Sequence, residues 1–418
     1  EIVAACARLE VPVLPRSGGT GLVGGQVSGE GPAPVILSLE RMTRVREVAP
    51  EDDMLVAEAG VVLAEVQAAA AEAGRLFPLA MASEGSCTIG GNLATNAGGV
   101  QVLRYGTARD LVLGVEAVLP DGSVHHGLSR LRKDNTGYDL RHLLIGSEGT
   151  LGVITAASLK LFPAPGETVT AMLAVEDPAA ALTLMEGLRA RLDGISAFEL
   201  ISGQGVAFLR GVHPEMADPL EGAPDWRVLV EATASSGAGL AGRAEAALAE
   251  ALEAGHAQDA VLAQSEAQRQ AMWWLRETIP EANRHVGAVA SHDISVPKSR
   301  IPAFIDAAGQ DVAAVEQALR VNCFGHVGDG NLHYNVFPPV GARAVDWRNL
   351  AREVTEAVHA RVHEVGGSIS AEHGIGRAKR GDLARYGDPA KLAAMRAIKA
   401  ALDPAGIMNP GAVLPPEQ

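Results

Sequence analysis

Arg16-Ser-Gly-Gly-Thr-Gly-Leu-Val-Gly-Gly25 decides which fold the first third of the chain can take. Within it, Gly19-Thr-Gly21-Leu-Val-Gly24 matches GxGxxG after the strand-like Val11–Pro15, and Glu40 ends another strand further on. Those are marks of a dinucleotide-binding βαβ unit, whose helix must begin directly after the glycines to meet the pyrophosphate. Here Gly24, Gly25, Gly29, Gly31, Pro32 and Pro34 interrupt that position and forbid a crossover helix. A nicotinamide site is therefore rejected, and a P-loop falls with it because no Gly-Lys-Ser/Thr follows. What remains is a strand end opening into small residues whose backbone N–H groups can face an anion beside Arg16. That is a nest suited to a pyrophosphate.

Two further stretches repeat this chemistry. Of the 47 glycines, 16 cluster in the short stretches 17–31, 85–106 and 146–152. Ser83-Glu-Gly-Ser-Cys-Thr-Ile-Gly-Gly-Asn92 reads as a second loop, running on through Leu93-Ala-Thr-Asn-Ala-Gly-Gly99 to Tyr105-Gly106. It follows an alanine-rich helix, Leu63–Ala73, that Gly74 terminates. A strand over Leu111–Leu119 turns at Asp121-Gly122, and Gly146-Ser-Glu-Gly-Thr-Leu-Gly152 opens another over Val153–Leu161. Any one of these loops alone is matched by a plain glycine-rich turn. Three can wrap one long ligand.

At 418 residues the chain can bury a large core and is expected to hold two domains. Lys plus Arg number 35 against 50 Asp plus Glu, a net charge of −15. That balance argues against nucleic acid or an anionic membrane surface as the main partner. Cys6, Cys87 and Cys323 show no CxxC spacing. They exclude a disulfide scaffold and a four-thiolate metal site, suit a reducing compartment, and lead to the expectation of a cytoplasmic protein. No apolar run approaches the ~18–20 residues that span a bilayer. An amphipathic helix near Ile2–Leu9 opens the chain, with no signal peptide ahead of the first strand. Because it starts at Glu1 instead of Met, an upstream part of the first domain is expected to be missing.

Composition shifts after Pro163-Ala-Pro165. Strand (Thr168–Val175), helix (Pro178–Leu192) and strand (Ile195–Leu200) are followed by strand (Trp226–Thr233), helix (Leu240–Ala254) and strand (Ala257–Gln264). Two such units in succession predict a ferredoxin-like sandwich. Further on, Cys323-Phe-Gly-His-Val-Gly-Asp-Gly-Asn-Leu-His333 sets His326 and His333 around the turn signals of Gly328-Asp-Gly-Asn331. If Arg320–Phe324 and Leu332–Phe337 pair as strands, the imidazoles face one another. Ser368-Ile-Ser-Ala-Glu-His-Gly-Ile-Gly376 then places Glu372 beside His373 at the end of a short apolar strand. Two imidazoles and a carboxylate suit zinc or a similar divalent ion with open positions for substrate. Solvated or core histidines in a hairpin are the plain alternative. Arg276, beside two tryptophans on a helix over Glu266–Asn283, either covers apolar surface or meets an anion. His292 on the strand Ala290–Pro297 could serve a pocket, but a strand histidine is more often structural. His359 and His363, one turn apart on the helix Asn349–Val365, read as solvated.

Taken together, Pro15-Arg-Ser-Gly-Gly-Thr-Gly-Leu22, Gly90-Gly-Asn-Leu-Ala-Thr-Asn-Ala-Gly-Gly99, Tyr105-Gly-x-x-x-Asp110 and Gly146-Ser-Glu-Gly-Thr-Leu-Gly-Val-Ile-Thr155 resemble the FAD-binding domain of the vanillyl-alcohol-oxidase/PCMH superfamily. The branch is that of the D-lactate, glycolate and D-2-hydroxyglutarate dehydrogenases, and the resemblance covers essentially the whole chain in family order. It implies an α+β protein: a PCMH-type FAD-binding domain over 1–163, a ferredoxin-like cap of the FAD-linked oxidase type with the metal site over 164–400, and a segment 401–418 returning to the flavin. It implies FAD pyrophosphate on Arg16, Ser17, Gly18, Gly19, Thr20 and Gly21 and on Gly90, Gly91 and Asn92. Ser83, Asn96, Gly98, Glu148, Gly149, Ile154 and Asn409 would line the rest. Thr20 stands where members with covalent flavin carry His, so non-covalent FAD is expected.

The resemblance also implies a divalent metal, zinc, on His326, His333 and Glu372. His373 would be the general base, Arg276 the partner of the substrate carboxylate, and Asn331 and Asn335 pocket contacts. The implied reaction takes a small D-2-hydroxy acid to the 2-oxo acid with hydride to flavin N5. Members specific for hydroxyglutarate place Thr four residues after the Arg and Lys in the next strand; Pro280 and Ser291 stand here, a departure that weakens that acid. An electron-transfer flavoprotein, a quinone or a cytochrome fits as external acceptor, and a homodimer is compatible. A flavin oxidase or dehydrogenase of another alcohol, or a flavin-binding subunit of a larger redox complex, shares most of this pattern. A zinc hydrolase on the same His/His/Glu set leaves three glycine loops unexplained.

Overall fold

The computed structural model describes residues 1–29 and 31–416. It divides into one unit of Glu1–Gly99, Tyr105–Ala164 and Glu372–Gln418 and another of Val100–Arg104 and Pro165–Ala371. In chain order the first opens with α1 (Ile2–Leu9), then β1 (Val13–Arg16) paired in parallel with β2 (Val35–Ser38). Residues 21–29 between them form bends and turns with no helix, as their glycines require. Next come β3 (Val45–Ala49), β4 (Met54–Glu58), α2 (Leu63–Glu72), β5 (Arg75–Leu76) and α3 (Ile89–Ala94); then, after α4 (Val102–Tyr105), which but for Tyr105 belongs to the other unit, β6 (Val112–Val118), β7 (Val124–His126), α5 (Leu140–Leu144), β8 (Val153–Lys160) and β9 (Phe162–Pro163).

Strands β3, β4, β8, β6 and β7 make, in that order, an antiparallel sheet. β4 is buried at every residue and β8 at all but Lys160, which marks both as central strands. Val66 of α2 and Ile89 and Leu93 of α3 join Leu55, Ala57 and Ala157 of those strands in one core. The second glycine stretch, expected to be loop throughout, therefore contains a helix. Gly90 supplies the reason: a Cβ there would stand 2.7 Å from the Ala59 side chain, so the glycine serves close approach and not looseness.

The second unit holds β10 (Glu167–Val175), α6 (Pro178–Arg189), β11 (Ile195–Ser202), α7 (Gly203–Val212), β12 (Trp226–Ala234), α8 (Leu240–Glu253), β13 (Asp259–Leu262), α9 (Glu266–Val286), β14 (Ala290–Ser295), α10 (Ile301–Val315), β15 (Arg320–Gly325), β16 (Asn331–Phe337) and α11 (Ala351–Glu364). Its sheet runs β13-β10-β12-β11-β15-β16-β14. The first four strands are antiparallel, in the order fourth, first, third, second of a ferredoxin-like fold. What the sandwich expectation lacked is the continuation: β11 pairs with β15, and the histidine-bearing hairpin extends the same sheet. α6 starts sharply because Asp177 accepts from the Ala180 N–H at 2.7 Å ahead of Pro178.

Two sequence expectations change here. Residues 368–372 are no strand; Ser295 and Ser368 form one isolated bridge, with N–H to O distances of 3.0 and 2.8 Å, before the chain bends away. Residues 372–400, grouped by sequence with the second region, belong to the first unit with α12 (Arg380–Tyr386) and α13 (Pro389–Leu402). Ile398 and Leu402 of α13 pack on the core of that unit, which is apolar burial that composition alone does not reveal.

Candidate functional site

Three loops of the first unit are tied into one cradle. Thr88 Oγ1 accepts from the Gly18 N–H at 3.0 Å and hydrogen-bonds Ser17 Oγ, which joins the first loop to the second. Gly146 and Glu148 donate their N–H groups to Leu93 and Ala94 carbonyls at 2.9 and 2.8 Å, which joins the third loop to the end of α3. Asn409 closes the ring from the C-terminal segment, donating Nδ2 to the Gly25 and Glu148 carbonyls at 3.0 and 2.8 Å. Gly18 sits so close to the second loop that a Cβ would lie 2.8 Å from Ser86 O. Gly19, left-handed at φ 72°, stays exposed with Arg16, Thr20 and Gly21. Small, exposed residues around a left-handed glycine present backbone N–H groups together, the geometry that holds phosphate oxygens.

Of the residues expected to line the flavin, Ser83 and Gly90, Gly91 and Asn92 lie along the second stretch, Gly149 (φ 72°) in the third, and Ile154 at the start of β8. Asn96 is partly spoken for, since its Oδ1 accepts from the Arg109 N–H at 2.9 Å. Glu148, left-handed at φ 51°, turns its carboxylate onto the N–H groups of Ile375 and Gly376, both at 2.8 Å. Burial pushes this carboxyl up in pKa, and those two N–H groups oppose the push.

The second unit contributes a face of polar side chains. Asn331, His333 and Asn335 alternate along β16 and so point to one side. Asp293 of β14 stands opposite His333, and Phe324 of β15 flanks it on the other edge. His326, just after β15, sets its ring 5.6 Å from that of His333 at 82°. Glu199, fully buried and the one charged residue of β11, accepts from His326 Nδ1 at 2.7 Å and from Arg276 Nε of α9 at 2.8 Å. Burial alone would raise the Glu199 pKa, but the hydrogen-bonded His326 ring and the Arg276 guanidinium hold it below the usual carboxylate range. With Nδ1 donated to a carboxylate, His326 is oriented to offer Nε2 as a ligand. Arg276 also lies over the Phe324 ring at 4.8 Å. It is 5% exposed and buried with an acid, so it does not cover surface.

Ala371 donates its N–H to Asp293 O at 3.4 Å, and the next residues along the same chain are Glu372 and His373. One ligand atom each from His326, His333 and Glu372 lie within 4.8 Å of one another. Asp293, Glu372 and His373 satisfy the same distance. Two imidazoles with carboxylates at this spacing are a donor set that fits a divalent cation. Glu372 is itself pressed on the second glycine stretch, where a Cβ on Gly98 would meet its Oε1 at 2.8 Å.

Sequence reading missed Glu199 and Asp293; the available signal was a lone acid inside an apolar strand, which rarely goes underground without a partner. His292 is structural, with Nδ1 on Tyr334 O at 2.7 Å and Nε2 on Thr355 Oγ1 at 3.2 Å. His359 is buried against the His292 ring, 5.4 Å away, and not solvated, because it flanks the apolar stripe of α11 on the side that meets β14. His363 is exposed.

Family models for an FAD binding domain and for the C-terminal domain of FAD linked oxidases match residues 1–127 and 164–413. The mitochondrial D-2-hydroxyglutarate dehydrogenase of Bos taurus is 40% identical over 99% of this chain and 74% of its own length. The D-2-hydroxyglutarate dehydrogenase of Xanthomonas citri pv. viticola is 38% identical over 96% of this chain and 84% of its own. Among solved structures, p-cresol methylhydroxylase with substrate bound superposes with a TM-score of 0.76 at 17% identity, over 98% of this chain and 85% of that one, a likeness of fold alone. Relatives from cattle, rat, Arabidopsis thaliana, rice and zebrafish carry "mitochondrial" in their names, which overturns the expectation of a cytoplasmic protein. Among the described residues no helix is long and apolar enough to cross a membrane. With its loops, its sheet order and its relatives in agreement, the chain belongs to the FAD-linked oxidases of the PCMH superfamily, as an FAD-dependent oxidoreductase of the D-2-hydroxyglutarate dehydrogenase-like branch.

Proposed function

We propose that this enzyme oxidises a D-2-hydroxy acid to the 2-oxo acid, with non-covalent FAD on the three loops and zinc on His326, His333 and Glu372. The observation that carries the reading is the gathering of those three side chains within 4.8 Å, in a chain whose relatives are named for a D-2-hydroxy acid. When bound, FAD supplies a hydride acceptor and zinc a Lewis acid for the substrate oxygens.

The protein's own residues do the rest. Arg276 spends Nε and one terminal nitrogen on Glu199, both at 2.8 Å, which fixes the guanidinium plane and leaves its other edge for the substrate carboxylate. Asn331 is held by Nδ2 on Asp293 Oδ1 and Ile294 O at 3.0 and 2.9 Å, while its buried Oδ1 has no partner among the described residues and can accept from a substrate hydroxyl. Asn335 continues the same face of β16. His373, next to Glu372, takes the hydroxyl proton as general base. Pro280 and Ser291 provide no cation for a second carboxylate, which favours acids with a single one. An external acceptor, whether electron-transfer flavoprotein, quinone or cytochrome, then takes the electrons from the flavin.

An anaerobic visible spectrum titrated with paired D- and L-2-hydroxy acids tests this. The flavin band bleaches with a D-acid and not with its L-partner, and a chelator slows bleaching while leaving the oxidised band in place. A flavin band that no D-2-hydroxy acid bleaches refutes the substrate class. A chelator without effect refutes the metal.

A further inference from the structure

We propose a second ligand site in the second unit, a cleft of about 410 Å³ between α10 and the sheet face opposite His333. It takes a small uncharged molecule whose carbonyl or hydroxyl oxygen accepts a hydrogen bond from Tyr334. The cleft exists because β11 and β15 pair only at Leu200–Gly325 and Ile201–Phe324 and then part. On the far side of the gap Asn322 is bonded to Ser202 Oγ at 2.8 Å and to Asn283 at 2.8 Å, which closes it there. On the near side α10 presents Gly309, where even a Cβ would remain 3.9 Å from Tyr334 Oη.

Tyr334 is 0% exposed, and its ring is held edge-on by Phe304 at 5.8 Å. Its hydroxyl lines this space without a hydrogen-bond partner among the described residues. A buried hydroxyl left unpaired is costly, and a ligand oxygen removes that cost. Burial pushes the phenol pKa up, so the group stays a neutral donor. Trp226, Ile305, Ala313 and Val321 make most of the wall apolar, with Ser202 and Gln310 as neutral polar members, and among the described residues no Lys or Arg lines the cleft. Asp306 is exposed where α10 borders it. An anion is therefore disfavoured, and with it a second copy of a 2-hydroxy acid. A neutral ketone, ester or alcohol on an aromatic or aliphatic body suits the walls.

Saturation-transfer NMR on the holoenzyme with acetophenone and with ethylbenzene, equal in shape but lacking the oxygen, tests the assignment. Acetophenone binds saturably, and ethylbenzene about tenfold more weakly, the value of one buried hydrogen bond. Tyr334→Phe brings acetophenone down to the ethylbenzene level, and Gly309→Leu abolishes both, with 2-hydroxy-acid turnover unchanged in each variant. Tyr334→Phe also leaves the thermal midpoint unchanged or raised, because it deletes an unpaired hydroxyl. No saturable binding to the wild type, affinity indifferent to Tyr334→Phe, or a lowered midpoint in that variant overturns the proposal.

Discussion

The cradle proposed for the flavin in the first unit is made of backbone, whereas the face proposed to hold the metal in the second is made of side chains. In the cradle, Gly18, Gly90 and Gly99 are needed because a Cβ would collide with neighbouring chain, at 1.9 Å from Ala80 O in the case of Gly99. The loops are held through main-chain groups and a few polar side chains such as Thr88 and Asn409. In the other region Glu199, Arg276 and Asp293 arrive singly, from β11, α9 and β14, and His326 and His333 as a pair from the β15–β16 hairpin. The lesson is one of tolerance. The cradle spreads its task over many N–H groups and should lose affinity gradually, while the histidine face concentrates its task in a few atoms and should fail at once.

The largest effect follows from that concentration. His333→Ala should lower turnover about 1,000-fold or more and remove bound metal, while the visible FAD band and its intensity persist. Metal analysis together with the spectrum checks both at once. Loss of flavin in this variant would break the division between the two regions. Glu199→Gln should be milder, about 10–100-fold in metal affinity or kcat/KM, because it acts by orienting His326 and Arg276. Competition with a chromogenic chelator reads the first quantity. A Gln variant indistinguishable from the wild type would show that the buried acid is merely tolerated.

That contrast also explains what the sequence could and could not say. A left-handed or crowded backbone position demands glycine, so the three loops announce themselves as motifs. The same demand misled at 89–94, where two glycines read as loop although one of them, Gly90, seats α3 against Ala59. The hairpin of β15 and β16 was legible from Asp-Gly and Gly-Asn between apolar runs, and the pair His326 and His333 with it. Glu199 and Asp293 were not, because each is one acid in a strand and its partners lie far along the chain, at His326, Arg276 and Asn331. Likewise nothing local assigns α13 to the first unit; the packing of Ile398 and Leu402 on its core and the Lys399 hydrogen bond to Thr150 O do.

Within the cradle the expected losses shrink. Thr88→Val removes the acceptor for Gly18 N–H and the partner of Ser17 at a nearly isosteric position. FAD should then dissociate about tenfold more readily, since the lost hydrogen bonds loosen one junction among several. Fluorescence of released flavin on dilution measures it. A loss of flavin as complete as the metal loss in His333→Ala would mean that the cradle, too, hangs on single atoms.

The smallest effect concerns a buried acid that resembles Glu199 but serves no ligand. Glu58 ends β4 and accepts from the Arg44 N–H and guanidinium and from Arg46, at 2.9 to 3.2 Å. Burial raises its pKa, yet those donors prevail and hold it at about 2, below the ordinary 4.5. A depressed folded-state pKa contributes stability in full above 4.5 and loses it as pH falls toward 2. Arg44 is 79% exposed, so water and salt screen much of the attraction. Glu58→Gln should therefore lower the thermal midpoint of the first unit by only about 2 °C at pH 7. The gap between variant and wild type should close between pH 5 and pH 2 while metal content and turnover at pH 7 stay unchanged. A gap that does not narrow on acidification would mean the arginines are not what holds this carboxylate charged. Altered turnover would mean that the flavin unit's sheet, and not only its loops, takes part in the site.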